Sequence, residues 1–216
     1  MEIELIVNML ARWGHLLFGI TWIGLLYYFN FIQGGYFKSA TPEGLTDAKA
    51  KLAPEALWWF RWAAMFTFIT GVILLYGFMP NGGRLGFMNS YIVVGALLGT
   101  FMFLNVWLII WPNQKIALGM VEGDAAAAGG KALLASRTNT LFSGPMVFCM
   151  LAGPHFAAYG KTMSTSTTAM YVALAITVVL ELNAIFGKQG PIASVRGVIV
   201  SSLLLTAVMV AVLEML

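Results

Sequence analysis

The chain has 216 residues, is 60% hydrophobic and only 10% charged, and has a mean hydropathy of +0.84. A soluble domain is about 25% charged, so this composition excludes one and defines a polytopic membrane protein. The net charge of +3 reports membrane topology rather than a nucleic-acid partner. Cys149, the single cysteine, excludes an intramolecular disulfide, a thiolate metal cluster and the Cys-x-x-Cys-His attachment site of a c-type haem.

In chain order, the acidic start Met1-Glu2-Ile3-Glu4 does not read as a cleaved signal peptide. Apolar runs of about 20 residues, the length that crosses a hydrocarbon core, predict six spans. They fall at roughly 8–33, 56–79, 87–112, 140–160, 168–187 and 194–215 in one transmembrane domain, 1–216, with an all-α fold. The polar loop 34–55 ends in Pro54 and Glu55, which suit the first turn of the second helix. Pro80-Asn81-Gly82-Gly83 predicts a tight turn. The loop 113–139 is the longest, with a small, flexible stretch at 123–130 and a helix resuming at 131–137. Lys38, Lys49, Lys51, Lys115, Lys131, Arg137, Lys188 and Arg196 gather on one side, with Arg61 just inside it, against Arg12, Arg84 and Lys161 on the other. The positive-inside rule then places both termini outside, in the periplasm if the membrane is a bacterial inner membrane.

The chain has two histidines, His15 and His155, near the outer ends of spans one and four. A histidine inside a bilayer is costly and by default marks a site. His15 shares a helix face with Asn8, Arg12, Gly19 and Trp22. Two imidazoles at similar depth on different helices suit bis-histidine ligation of a b-type haem. Gly14, Gly19, Gly144 and Gly153 would leave room for the macrocycle, and Trp13, Phe18, Trp22 and Phe156 would pack on it. A single haem held by His15 and Met146 or Met150 is a variant. The bland alternative is that both histidines are interfacial and bond to carbonyls or water, with Gly and Trp serving packing and anchoring. Glu181, the only acid deep in a span, is expected to pair with Arg61 or Arg196; the sharper alternative is a proton inlet. Asn30 and Asn105 suit interhelical hydrogen bonds, and Trp58, Trp59, Trp62, Trp107 and Trp111 suit an aromatic belt. No phosphate loop, His-Glu-x-x-His helix or Gly-x-Ser-x-Gly elbow is present.

Several segments, taken in order, resemble a known family. They are Arg12-Trp13-Gly14-His15 with Thr21-Trp22-Ile23-Gly24, and Glu55-Ala56-Leu57-Trp58-Trp59-Phe60-Arg61-Trp62. Further on come Asn105-Val106-Trp107 through Trp111-Pro112-Asn113-Gln114-Lys115, then Ala135-Ser136-Arg137-Thr138-Asn139 leading into Pro145-Met146-Val147-Phe148. Together they resemble the membrane domain of the bacterial cytochrome c-linked urate oxidase (urate hydroxylase) family. The resemblance implies a membrane-bound oxidoreductase whose electrons leave through a c-type cytochrome, and His15 and His155 match histidines of the family pattern. In the family the cytochrome is a fused C-terminal domain. This chain ends at Leu216 without a Cys-x-x-Cys-His, so the acceptor is expected to be a separate protein. The family tends to place a histidine between the Arg and Asn where Thr138 stands here, which puts urate oxidation itself in question.

The expectation is therefore a haem b electron-transfer subunit embedded in lipid, beside other membrane subunits. His15 and His155 would be axial ligands and Arg12 would meet a haem propionate. The competing class is a cofactor-free accessory subunit of a larger respiratory or photosynthetic complex. A small transporter is weaker, because neither repeated halves nor broken mid-membrane helices are evident.

Overall fold

The computed structural model describes residues 2–78, 89–160 and 166–216, and the regular structure within them is helical throughout. The long helices are α1 (Glu2–Tyr27), α2 (Ala53–Phe78), α3 (Ser90–Leu104), α4 (Ala125–Ala158), α5 (Thr167–Phe186) and α6 (Val195–Met215). Three π-helical stretches join helices without a break. Tyr28–Gln33 carries α1 into the short helix Gly34–Ser39, Ala48–Leu52 links Pro42–Asp47 to α2, and Asn105–Ile110 carries α3 into Trp111–Ala117. The expected turn at Pro80-Asn81-Gly82-Gly83, and the cations Arg84 and Lys161, lie outside the described residues.

Local chemistry sets where the helices start. Asn89, Ser166 and Ser194 each accept a hydrogen bond from a backbone N–H three residues on, capping α3, α5 and α6. Asp124 does the same for α4, accepting from Ala126 and Ala127 at 3.0 Å. This cap explains a correction to the sequence reading. The stretch 123–130 was expected to be flexible, yet α4 begins at Ala125. Four alanines, the best helix formers, follow the capping aspartate and outweigh Gly129 and Gly130.

Contacts fix the direction of each helix. α1 runs antiparallel to α2, with Phe18 against Phe66 and Phe29 against Phe60. α2 runs antiparallel to α3, with Phe68 stacked on Phe103 and Trp62 against Trp107. α4 opposes α1 through Tyr27 to Ser143 and Asn30 to Ser136, and opposes α3 through Gly153 to Asn89 and Met102 to Asn139. Tyr91 of α3 bonds Glu214 of α6, and Ser166 bonds the Leu216 carbonyl. The start of α1 and the end of α6 therefore lie at the same end of the array, called the upper end below.

Five segments are long and apolar enough to cross a membrane: Ile3–Ser39, Pro42–Tyr76, Ser90–Ala117, Thr167–Phe186 and Val195–Met215. α4, which contains the expected fourth span, is not among them despite its 34 residues. The reason is a polar run, Ser136, Arg137, Thr138, Asn139, Thr140 and Ser143, every member of it buried. α4 is the central helix and packs on α1, α3, α5 and α6. Lipid is as apolar as leucine, so close backbone approach and interhelical hydrogen bonds hold such helices together. A Cβ on Gly144 would stand 2.5 Å from Ser202 Oγ of α6, and one on Gly153 would stand 2.6 Å from Ile92 of α3. The main core surrounds α4 and includes Trp22, Leu26, Phe60, Leu98, Met102, Phe142, Met209 and Leu213. Ala11 and Leu74, near the top of the α1–α2 pair, form a separate small cluster.

Candidate functional site

His15 stands on α1 with its ring against α2. Its Nδ1 lies 2.9 Å from the Thr67 carbonyl and 3.1 Å from Thr70 Oγ1. The Thr70 hydroxyl already donates to the Phe66 and Thr67 carbonyls, at 2.7 and 3.0 Å. Both groups facing Nδ1 are thus acceptors, so Nδ1 carries the proton and Nε2 keeps a free lone pair. The ring lies flat on α2 because position 71 is glycine: a Cβ there would sit 3.1 Å from His15 Cε1. Neither Gly71 nor the two threonines stood out in the sequence. The signal that could have found them is Thr67 and Thr70 one turn apart, with Gly71 next, in a helix otherwise apolar.

His155 stands on the exposed side of α4, and its Nδ1 is 2.9 Å from the carbonyl of Leu151 in the same helix. A carbonyl can only accept, so Nδ1 of this imidazole also donates, and among the described residues its Nε2 has no hydrogen bond. Both histidines lie on the upper side of the Tyr27–Ser143 contact, which is 2.9 Å long. His15 is twelve residues from Tyr27 (27 − 15) and His155 twelve from Ser143 (155 − 143), each roughly 18 Å along its own helix at 1.5 Å per residue. No hydrogen bond joins the histidines.

Above the Tyr27–Ser143 contact, side chains continuing the same faces of α1 and α4 are exposed. Leu16 and Ile20, on the Tyr27 side of α1, are 65% and 64% exposed. Val147 and Leu151, which continue the Ser143 face of α4, are 41% and 56% exposed. His155 follows one turn above Leu151 on α4. Gly19 faces α2, where a Cβ built on it would meet Thr67 Cγ2 at 4.0 Å, an ordinary van der Waals contact. Trp22 is 2% exposed, and its indole Nε1 has no partner. Arg12 donates from Nε to Asn8 Oδ1 at 2.8 Å.

Other expected features of this level are different. Gly144 and Gly153 admit α6 and α3, so they leave no room for a macrocycle. Trp13 is 61% exposed and points away from the bundle. Met146 and Met150 pack on α3, at Gly99 and Gly95, which removes them as partners for His15. Phe156 packs edge-on against Tyr91 of α3.

A second polar layer lies toward the lower end. Asn105 donates through Nδ2 to both Asn139 Oδ1, at 2.9 Å, and Glu181 Oε2, at 3.1 Å. Asn139 in turn donates to the Met102 carbonyl at 2.9 Å. Among the described residues Glu181 has no ion pair, contrary to the expected pairing with Arg61 or Arg196. Arg61 instead stacks over Trp111, 3.8 Å from the ring centroid, and Arg196 is exposed. Lys51 and Asp47 form an ion pair on the surface. The interhelical roles expected for Asn30 and Asn105 are observed. Trp58 and Trp59 are exposed at this level, with Trp62, Trp107 and Trp111 close by, as an interfacial belt requires.

Five spanning segments, with leucines, isoleucines and valines exposed along their length, define a polytopic helical membrane protein. The urate oxidase N-terminal family profile matches residues 82–213, more than half of the chain. The chain belongs to that family. His155 lies inside the matched region and His15 before it. No curated protein and no solved structure matches the chain.

Proposed function

We propose that this protein is a membrane electron-transfer subunit that holds one b-type haem between α1 and α4 and passes electrons to a separate periplasmic c-type cytochrome. The observation behind this reading is the matched state of the two histidines. Each commits Nδ1–H to a backbone carbonyl, at 2.9 Å in both cases, and among the described residues Nε2 has no hydrogen-bond partner. That is the usual condition of a metal-binding imidazole, whose second nitrogen is fixed by an outer partner. The position of both histidines toward the upper ends of α1 and α4, beside the exposed apolar side chains Leu16, Ile20, Val147 and Leu151, fits a flat group standing in the upper half of the bundle. His15 and His155 would be its ligands, and Arg12 at the rim would face a propionate. The haem would supply one-electron exchange at iron; the chain supplies a dry wall and fixes both ring tautomers. The family membership supports oxidoreductase chemistry in the bacterial inner membrane.

The positive-inside rule supports the orientation. Lys38, Lys49, Lys51, Lys115, Lys131, Lys188 and Arg196 belong to the lower end, which would face the cytoplasm. The histidines would then lie near the periplasmic surface, within reach of a soluble cytochrome. The test is a reduced-minus-oxidised absorbance spectrum of protein purified in detergent from haem-replete cells. A b-type spectrum that disappears in both His15→Ala and His155→Ala is expected. A protein that binds no haem, or a spectrum unchanged by either substitution, refutes the reading and leaves a cofactor-free subunit.

A further inference from the structure

We propose a second site, at the lower end of the α1–α4 seam, that binds a small oxyanion also bearing O–H or N–H donors. Arg137 on α4 is 8% exposed, and its Nε and Nη1 are buried without a hydrogen-bond partner. Neither an ion pair nor a stacked ring compensates it among the described residues. Glu181, the buried acid, bonds Asn105 in the Asn139 layer of α4. Asn139 is two residues on from Arg137, so the helix turns it roughly 200° away. A buried guanidinium without an anion is costly, and an Arg is suited to oxygens of carboxylate or phosphate.

The adjacent residue on α4, Ser136, meets α1. Asn30 Nδ2 donates to Ser136 Oγ at 2.8 Å and to the Leu26 carbonyl at 2.9 Å. With both amide hydrogens spent, the Asn30 carbonyl oxygen remains, buried and without a donor. Gln33 Oε1, in the same π-helical stretch Tyr28–Gln33, is also buried without a donor. π-Helical turns recur at functional sites because they turn side chains away from the regular helix face. Orphaned donors on one side of the seam and orphaned acceptors on the other call for a ligand with both. Buried polar atoms are nearly always paired, so the orphaned atoms of Asn30 and Gln33 in one stretch, and of Arg137 next to the serine that Asn30 bonds, need an explanation. Exposed Lys131 and Arg196 at the same end favour the approach of an anion.

A hydroxyl-bearing phosphate has this chemistry, either free in solution or as the headgroup of a phospholipid. The experiment uses the full chain in neutral detergent at constant ionic strength, with thermal stability and titration calorimetry as readouts. Glycerol 3-phosphate is the free probe and phosphatidylglycerol in mixed micelles is the lipid probe, against sodium chloride and phosphatidylcholine. Saturable stabilisation by glycerol 3-phosphate assigns a free ligand; saturable stabilisation by phosphatidylglycerol alone assigns a lipid headgroup. Arg137→Lys keeps the charge but loses the planar donor array, and should weaken binding about tenfold. Gln33→Leu leaves every charge in place and should weaken it about fivefold, by loss of one buried hydrogen bond. Absence of saturation by either probe, or equal binding by wild type and both variants, overturns the proposal. The readout involves no haem, so its failure and the failure of the redox reading are separate results.

Discussion

Asn105→Ala tests the buried layer most directly. In the wild type the Asn105 amide supplies one hydrogen bond to a neutral oxygen, Asn139 Oδ1, and one to Glu181, with no cation nearby to replace it. Interhelical hydrogen bonds in membrane proteins average about 0.6 kcal/mol and reach about 1.7. A bond to a charged group is worth about 1.5–3 kcal/mol. Truncation should therefore cost about 2–5 kcal/mol, and the Glu181 share is separable. In a Glu181→Leu background the same truncation should cost only about 0.6–1.7 kcal/mol, the neutral part. Reversible unfolding in mixed micelles, followed by far-UV circular dichroism, gives all four corners of the cycle. The reasoning predicts a coupling of about 1.5–3 kcal/mol between the two positions. If Asn105→Ala costs the same in both backgrounds to within about 0.5 kcal/mol, the contact with Glu181 contributes nothing and the layer is held by packing alone.

Other outcomes follow from single contacts. Gly144→Ala drives a methyl into Ser202 Oγ, a 2.5 Å approach, and should destabilise by about 1–3 kcal/mol in the same unfolding assay. Gly24→Ala, where nothing lies within 4 Å, should instead stabilise α1 by about 0.5–1 kcal/mol; a loss would mean that a neighbour packs there. Tyr27→Phe removes the hydroxyl that meets Ser143 and should cost about 0.6 kcal/mol, read as a lowered midpoint. Gly71→Ala crowds His15 Cε1, 3.1 Å from the new methyl, and should cost about 1 kcal/mol. In haem-loaded protein it should also alter the b-type spectrum, and an unaltered spectrum would argue against His15 as a ligand.

Much of the helical framework is legible in the sequence because apolar run length alone sets it: the expected 168–187 and 194–215 are Thr167–Phe186 and Val195–Met215. The start of α4 is not, since the expectation of flexibility rested on glycine while the alanines and Asp124 decided the outcome. The shared face of His15, Gly19 and Trp22 follows from helical spacing. What holds the His15 ring does not, because Thr67, Thr70 and Gly71 belong to another helix whose register no single sequence reveals. Glycine is ambiguous for the same reason. Gly19 has room for a methyl beside Thr67 while Gly144 and Gly153 admit neighbouring helices at closer range, and only the partner surface distinguishes them. Glu181 misled because charge invites a countercharge, whereas a neutral amide already stood within bonding distance.

The polarity of α4 bears on how the chain is made. A segment with Ser136, Arg137, Thr138, Asn139 and Thr140 in succession is too hydrophilic to leave the translocon for lipid unaided. Its partners Asn30, Met102 and Asn105 are all synthesised earlier, whereas Glu181 emerges later. During biosynthesis the nascent α1 and α3 would chaperone α4 into the bilayer. Only the arrival of α5 would then close the inner layer around it.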